Sequence, residues 1–138
     1  MSSAVSYITL AVTDLDRQVA FYRDGFGFTL KTHRRAANAD EDSWAFFDLD
    51  AITLALYDQK ALARDANITA IGAPTGAITL SHNVVSKQRL EELMSSLEQA
   101  GASITRPACQ APWGGYRGYL KDPEGFLWEI VWSPTRNP

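Results

Sequence analysis

The chain is short of the residues that usually advertise chemistry: 138 residues contain one cysteine, Cys109, and two histidines, His33 and His82. A lone thiol cannot close an internal disulfide or supply a cysteine pair for a metal, so stability must come from an apolar core and a reducing compartment is expected. The plain reading of Cys109 is a small half-buried side chain. No apolar run exceeds strand length, far short of the roughly 20 residues of a membrane-spanning helix, so no membrane partner is expected. The segment Met1–Tyr7 has no basic stretch followed by an apolar core, so no secretory signal is read and the expected location is cytoplasmic. Long basic tracts are also missing: the net charge is −3, and Lys31-Thr-His-Arg-Arg35 is short. Nucleic acid is therefore not an expected partner. That cluster reads as a solvated strand edge, with His33 exposed on it.

What remains is ordinary globular material, 46% hydrophobic and 21% charged, enough for one domain with a sizeable core. Alternation over Val5 to Val12 predicts a strand with Ile8, Leu10 and Val12 on one face and Tyr7, Thr9 and Ala11 on the other. Thr13-Asp14 caps a helix whose apolar residues Leu15, Val19, Tyr22 and Phe26 recur at helical spacing, and Asp24-Gly25 offers its stop. Strands are predicted over Phe28 to Arg34, Ser43 to Leu49 and Ala51 to Tyr57. Gln59 to Asn67 suits a short helix, and Gly72-Ala-Pro-Thr-Gly76 suits a linker.

The pattern then begins again. Ala77 to Val84 reads as a strand, and Ser86 caps a helix with Leu90, Leu93, Met94 and Leu97 on one stripe before Gly101. Weak strand signals at Ser103 to Thr105 precede the loop Pro112-Trp-Gly-Gly115, and strands follow over Tyr116 to Lys121 and Phe126 to Trp132, joined by a type I turn at Asp122-Pro-Glu-Gly125. Laid over each other, Ile8-Thr-Leu10 falls on Ile78-Thr-Leu80, and Ala51 to Tyr57 falls on the strand carrying Glu129. Matching element order and local sequence together indicate an internal repeat. The fold class is α+β: one domain of two tandem βαβββ modules, about 4–58 and about 77–133 with a linker about 59–76, forming a curved mixed sheet around a pocket.

Three stretches carry a family resemblance: Ile8-Thr-Leu-Ala-Val-Thr-Asp-Leu-Asp-Arg-Gln-Val-Ala-Phe-Tyr22 with its following Gly-Phe-Gly-Phe, Pro112-Trp-Gly-Gly-Tyr116, and Tyr119-Leu-Lys-Asp-Pro-Glu-Gly-Phe-Leu-Trp-Glu129-Ile. The chain resembles the vicinal oxygen chelate superfamily, which includes glyoxalase I, bleomycin-resistance proteins and extradiol dioxygenases, and within it the small glyoxalase-like proteins. The resemblance implies a homodimer and a pocket enclosed by paired modules. It also implies where a divalent metal would be held, by His and Glu on the first and fourth strands of each module. Those positions are Tyr7, about Ala77, near Ala55, and Glu129. Glu129 is the only matching ligand position, and a catalytic divalent ion needs about three protein ligands. No cofactor is therefore expected, with a metal held by other ligands as the alternative. His82 lies on the Ile78 and Leu80 side of its strand, away from Thr79.

The same alternation aims Tyr7, Thr9, Thr53, Tyr57, Thr79 and Glu129 toward the concave face. Trp113 and Tyr116, on a loop resembling the lid of bleomycin-resistance proteins, are expected to stack on a flat ligand. The expected function is binding of a small, partly aromatic metabolite or drug. The alternative is a metal-dependent or metal-free lyase, isomerase or dioxygenase with Glu129 as base and Tyr7 or Tyr57 as hydrogen-bond donor. If Arg106 or Arg117 reaches Glu129, the carboxylate is merely structural.

Overall fold

The computed structural model describes residues 3–35, 37, 42–69, 71–72 and 76–135. The chain divides into two compact units, 1–72 and 73–138. The division falls in the segment read as a linker, of which residues 73–75 lie outside the described residues. Among the described residues no helix is long and apolar enough to cross a membrane.

The first unit contains β1 (Tyr7–Val12), α1 (Leu15–Ala20), a π-helical turn (Phe21–Gly25), β2 (Thr29–Arg34), β3 (Trp44–Asp48), β4 (Thr53–Asp58) and α2 (Gln59–Ala66). Its sheet runs β1-β4-β3-β2, with β1 and β4 parallel and the other pairs antiparallel. The Asp14 carboxylate caps α1 by accepting from Arg17 N at 3.1 Å. The helical spacing through Phe26 is real, but the last turn widens, and Phe26 N reaches Phe21 O at 3.3 Å. That turn sits within an aromatic cluster in which the Phe26 ring lies 5.7 Å from Tyr22 and 4.6 Å from Phe28. Leu10, Val12, Ala45, Phe47, Leu54 and Leu56 are buried together with Val19, Phe21 and Tyr22. This is one face of the sheet, covered by helix; Tyr7, Thr9, Trp44, Phe46, Ala55 and Tyr57 alternate onto the other. His33 is half-buried rather than exposed, with Nε2 3.9 Å from Asp16 Oδ1, because its strand turns that position toward α1.

The second unit repeats the plan with β5 (Thr79–Asn83), α3 (Lys87–Gln99), β6 (Ser103–Gln110), β7 (Tyr116–Lys121) and β8 (Leu127–Trp132), in sheet order β5-β8-β7-β6. Ser86 Oγ caps α3 at Arg89 N, 3.0 Å away. The stripe of Leu90, Leu93, Met94 and Leu97 is buried, as are Leu120, Trp128 and Ile130 on the sheet that α3 covers. Gly118 lies under that helix: a Cβ there would be 2.4 Å from Met94 Sδ. Strand β6 is longer than the sequence indicates. Two register shifts, between Ile104 and Arg106 and between Arg106 and Cys109, break the alternation that reveals a strand. The Asp122 turn closes through Gly125 N to Asp122 O at 3.0 Å.

On their first strands the two units match two residues further along than the sequence overlay puts them. Tyr7 stands seven residues before the cap Asp14, and Thr79 stands seven before the cap Ser86. Tyr7 pairs with Thr53 and Thr79 with Leu127, while Thr9 pairs with Ala55 and Ser81 with Glu129. The equivalent of Tyr7 is thus Thr79 rather than Ala77. The equivalence of Ala55 and Glu129 holds.

Candidate functional site

Strand β8 runs between β5 and β7, so each of its residues has a partner on both sides. Glu129 is paired with Ser81 on β5 and Tyr119 on β7, and all three side chains stand on the face away from α3. The Ser81 hydroxyl donates to Glu129 Oε1 at 2.8 Å, and the Tyr119 hydroxyl donates to Oε2 at 3.1 Å. The half-buried carboxylate is therefore held from both flanks and accepts at both oxygens. Burial, followed by the nearby Glu129 charge and hydrogen bond, raises the Tyr119 phenol above its usual range, opposed by Arg117. The hydroxyl thus stays a donor across the neutral range.

Neither arginine named as a neutralising partner reaches Glu129 in an ion pair. Arg117 donates to Cys109 Sγ at 3.1 Å, and its guanidinium carbon is 6.0 Å from the Tyr119 ring centre. Arg106 Nη1 approaches the same sulfur at 4.0 Å. Above the carboxylate lies a cleft of about 400 Å3, lined by Ser81, Asn83, Trp113, Glu129 and Val131 together with Ser133 and Thr135.

Trp113 is placed by the β6–β7 loop. Ala111 N reaches Gly115 O at 2.8 Å and Gly114 N reaches Ala111 O at 3.1 Å, while Gly114 takes a φ of 102° open to glycine alone at low cost. Tyr116, expected beside Trp113, turns to the helix side. Its hydroxyl donates to Glu91 Oε1 at 2.7 Å, and Lys87 Nζ lies 5.3 Å from its ring and 5.4 Å from that of Trp132. The Glu91 bond raises the Tyr116 phenol from its usual range. His82 also faces α3, where burial and then Arg89 lower its basicity.

Of the other residues singled out from sequence, Tyr7, Thr9, Thr53 and Tyr57 share the face of the first unit's sheet opposite its α1 side. Tyr7 meets Phe46 edge-on at 5.7 Å, and Trp44 stacks on Phe46 at 4.8 Å. The Tyr57 hydroxyl donates to Asp42 Oδ2 at 2.5 Å. Thr79 is one pleat from Ser81 on β5 and does not line the cleft. Ser81, Asn83, Tyr119 and Val131 were missed. Their signal was alternation on β5, β7 and β8, usable once the two-residue correction puts Ser81 beside Glu129.

The model of the Glyoxalase/Bleomycin resistance protein/Dioxygenase superfamily matches residues 4–130. The chain belongs to that superfamily. Among solved structures, this superfamily member is similar to a glyoxalase-related enzyme from Fulvimarina pelagi, with 33% identity, a TM-score of 0.85, and coverage of 96% of this chain and 90% of that one. A lactoylglutathione lyase from Agrobacterium tumefaciens is 27% identical with a TM-score of 0.70, covering 96% of each chain. Lactoylglutathione lyase GLX1 of Arabidopsis thaliana is 26% identical over 134 residues, which are 96% of this chain and 45% of that protein. The chain spans about half the length of such curated relatives.

The residues present do not fit the superfamily's metal. At the four corresponding positions stand Tyr7, Ala55, Thr79 and Glu129, and the single carboxylate already accepts two hydroxyls. Among the described residues no three His, Cys, Asp or Glu side chains converge as a metal would need.

Proposed function

We propose that this superfamily member binds a small organic molecule in the cleft over the second unit's sheet, without the superfamily's metal. The observation that carries this reading is the fixed Glu129 carboxylate on the floor of a cleft that Trp113 also lines. The cleft's volume, about 400 Å3, falls within the usual range for small-molecule sites, and its lining mixes an aromatic wall, one aliphatic residue and several polar groups. The test is a screen of neutral, acidic and basic aromatic fragments by protein-observed NMR. Saturable shifts confined to Ser81, Trp113, Glu129 and Val131, and lost in Trp113→Ala, are expected; no fragment binding there overturns the reading.

A second reading, lyase activity on lactoylglutathione, draws support from the names of two relatives at 26% and 27% identity. The donor set argues against it. Turnover of lactoylglutathione by the purified chain, with and without added nickel or zinc, decides between the two: none is expected.

A further inference from the structure

We propose that the group seated at Glu129 is an organic ammonium, the protonated amine of a small ligand, with Glu129 as its counter-charge and the Trp113 indole as its aromatic wall. This rests on the reading of the cleft as a ligand site and adds the charge and class of what enters it.

The first ground is an unbalanced charge. Removing a carboxylate from water is costly unless charge or hydrogen bonds compensate, and a cation supplies more of that compensation than a neutral donor. Among the described residues no lysine, arginine or histidine forms an ion pair with Glu129. Arg117, on the same face, donates to Cys109 Sγ at 3.1 Å and acts on the Tyr119 hydroxyl, but it makes no ion pair with Glu129. The hydrogen bonds that Glu129 receives come from neutral hydroxyls, which orient the carboxylate and leave its charge in place.

The second ground is geometric. Ser81 and Tyr119 approach from the two neighbouring strands, one at each oxygen, so each oxygen keeps acceptor capacity for a donor arriving from the cleft. An ammonium offers up to three N–H donors to such a site. The other polar side chains lining the cleft, Ser81, Asn83, Ser133 and Thr135, are neutral and can each accept a hydrogen bond, while the indole of Trp113 attracts a cation to its face. An anionic ligand would meet the Glu129 charge with no cationic side chain among the described lining residues to offset it. A bare divalent ion would find one carboxylate where it needs about three ligands.

The experiment uses three probes of like size and different charge, phenethylammonium, phenethyl alcohol and phenylacetate, titrated calorimetrically into the full chain and its Glu129→Gln and Trp113→Leu variants. The ammonium is expected to bind about tenfold or more tighter than the alcohol, with phenylacetate weakest. Glu129→Gln should erase the preference for the ammonium over the alcohol, and added salt should weaken the ammonium alone. Trp113→Leu, on a loop and removed from the core, provides the same reading should Glu129→Gln fail to fold: it should weaken the ammonium more than the alcohol. Equal binding of ammonium and alcohol, or a preference for the alcohol or phenylacetate that survives Glu129→Gln, overturns the ammonium and leaves the cleft a binding site. Stoichiometric magnesium or nickel binding that displaces the ammonium overturns it in favour of a metal. Binding of none of the three at millimolar concentration overturns the ammonium and counts against the cleft as well.

Discussion

A Cβ built on Gly115 would fall 2.0 Å from Cη2 and Cζ3 of Trp113, so the indole rests directly on that glycine. Gly115→Ala must push the ring off its seat. The obstructing atoms belong to the end of an exposed side chain, so the fold survives with a loss of under about 1 kcal/mol. The expected signature is a changed near-ultraviolet tryptophan circular dichroism spectrum with an almost unchanged melting temperature.

Gly118→Ala should behave in the opposite way. Its Cβ would lie 2.4 Å from Met94 Sδ and 3.0 Å from the Arg106 carbonyl oxygen, and the second obstacle is backbone. A loss of about 1–3 kcal/mol is expected from urea denaturation, as for overpacked cores. Adding Met94→Ala should recover only part of it, a non-additivity that a double-mutant cycle measures directly.

The Asp122 side chain is almost wholly buried and accepts from Glu124 N at 2.9 Å and Phe126 N at 3.0 Å. Asp122→Ala leaves both amides without that acceptor at the entry to β8, and a loss of about 1–3 kcal/mol is expected. Asp122→Asn keeps one acceptor oxygen and should lose less, by the same denaturation measurement.

Tyr57 supplies a pH dependence in the first unit. Its hydrogen bond to Asp42, followed by burial, raises the phenol from 10.0 to about 12. The folded state holds this proton more tightly than the unfolded state, so the contribution to stability is complete below pH 10 and is lost as the pH climbs to about 12. Ultraviolet titration should show a phenolate near pH 12 that disappears in Tyr57→Phe, beside the later-than-usual Tyr116 and Tyr119, and the variant's stability should fall less steeply above pH 10.

The elements were legible where side chains obey one period. The α3 stripe of Leu90, Leu93, Met94 and Leu97 and the alternation of Tyr7 to Val12 both survive as read. Strand β6 was hidden because its bulges reset the alternation twice. The helical segment ends at Gly25, where Asp24-Gly25 was read as its stop; its last turn went unread as π-helical because a π turn keeps nearly the same apolar spacing as an α turn while adding a residue. At the site, Glu129 and Trp113 stood out by residue type alone. Ser81 and Tyr119 did not, since serine and tyrosine are ordinary strand residues until pairing shows what they face. Tyr116 was misplaced by its neighbours: the sharp Gly114-Gly115 loop reverses the chain between Trp113 and Tyr116, so adjacency in sequence did not become a shared face.

Strand β8 is the last strand of its unit to leave the ribosome, yet it occupies an inner position, and it is the strand to which β5 pairs. The Ser81–Glu129 bond spans 48 residues. Without β8, β5 has no neighbour in its sheet and the two hydroxyls have no carboxylate between them. A partly synthesised or clipped chain lacking β8 would therefore display no half-strength version of the cleft. The floor of the cleft is thus complete only when β5, β7 and β8 are paired, so the ligand capture proposed above would report directly on a finished fold.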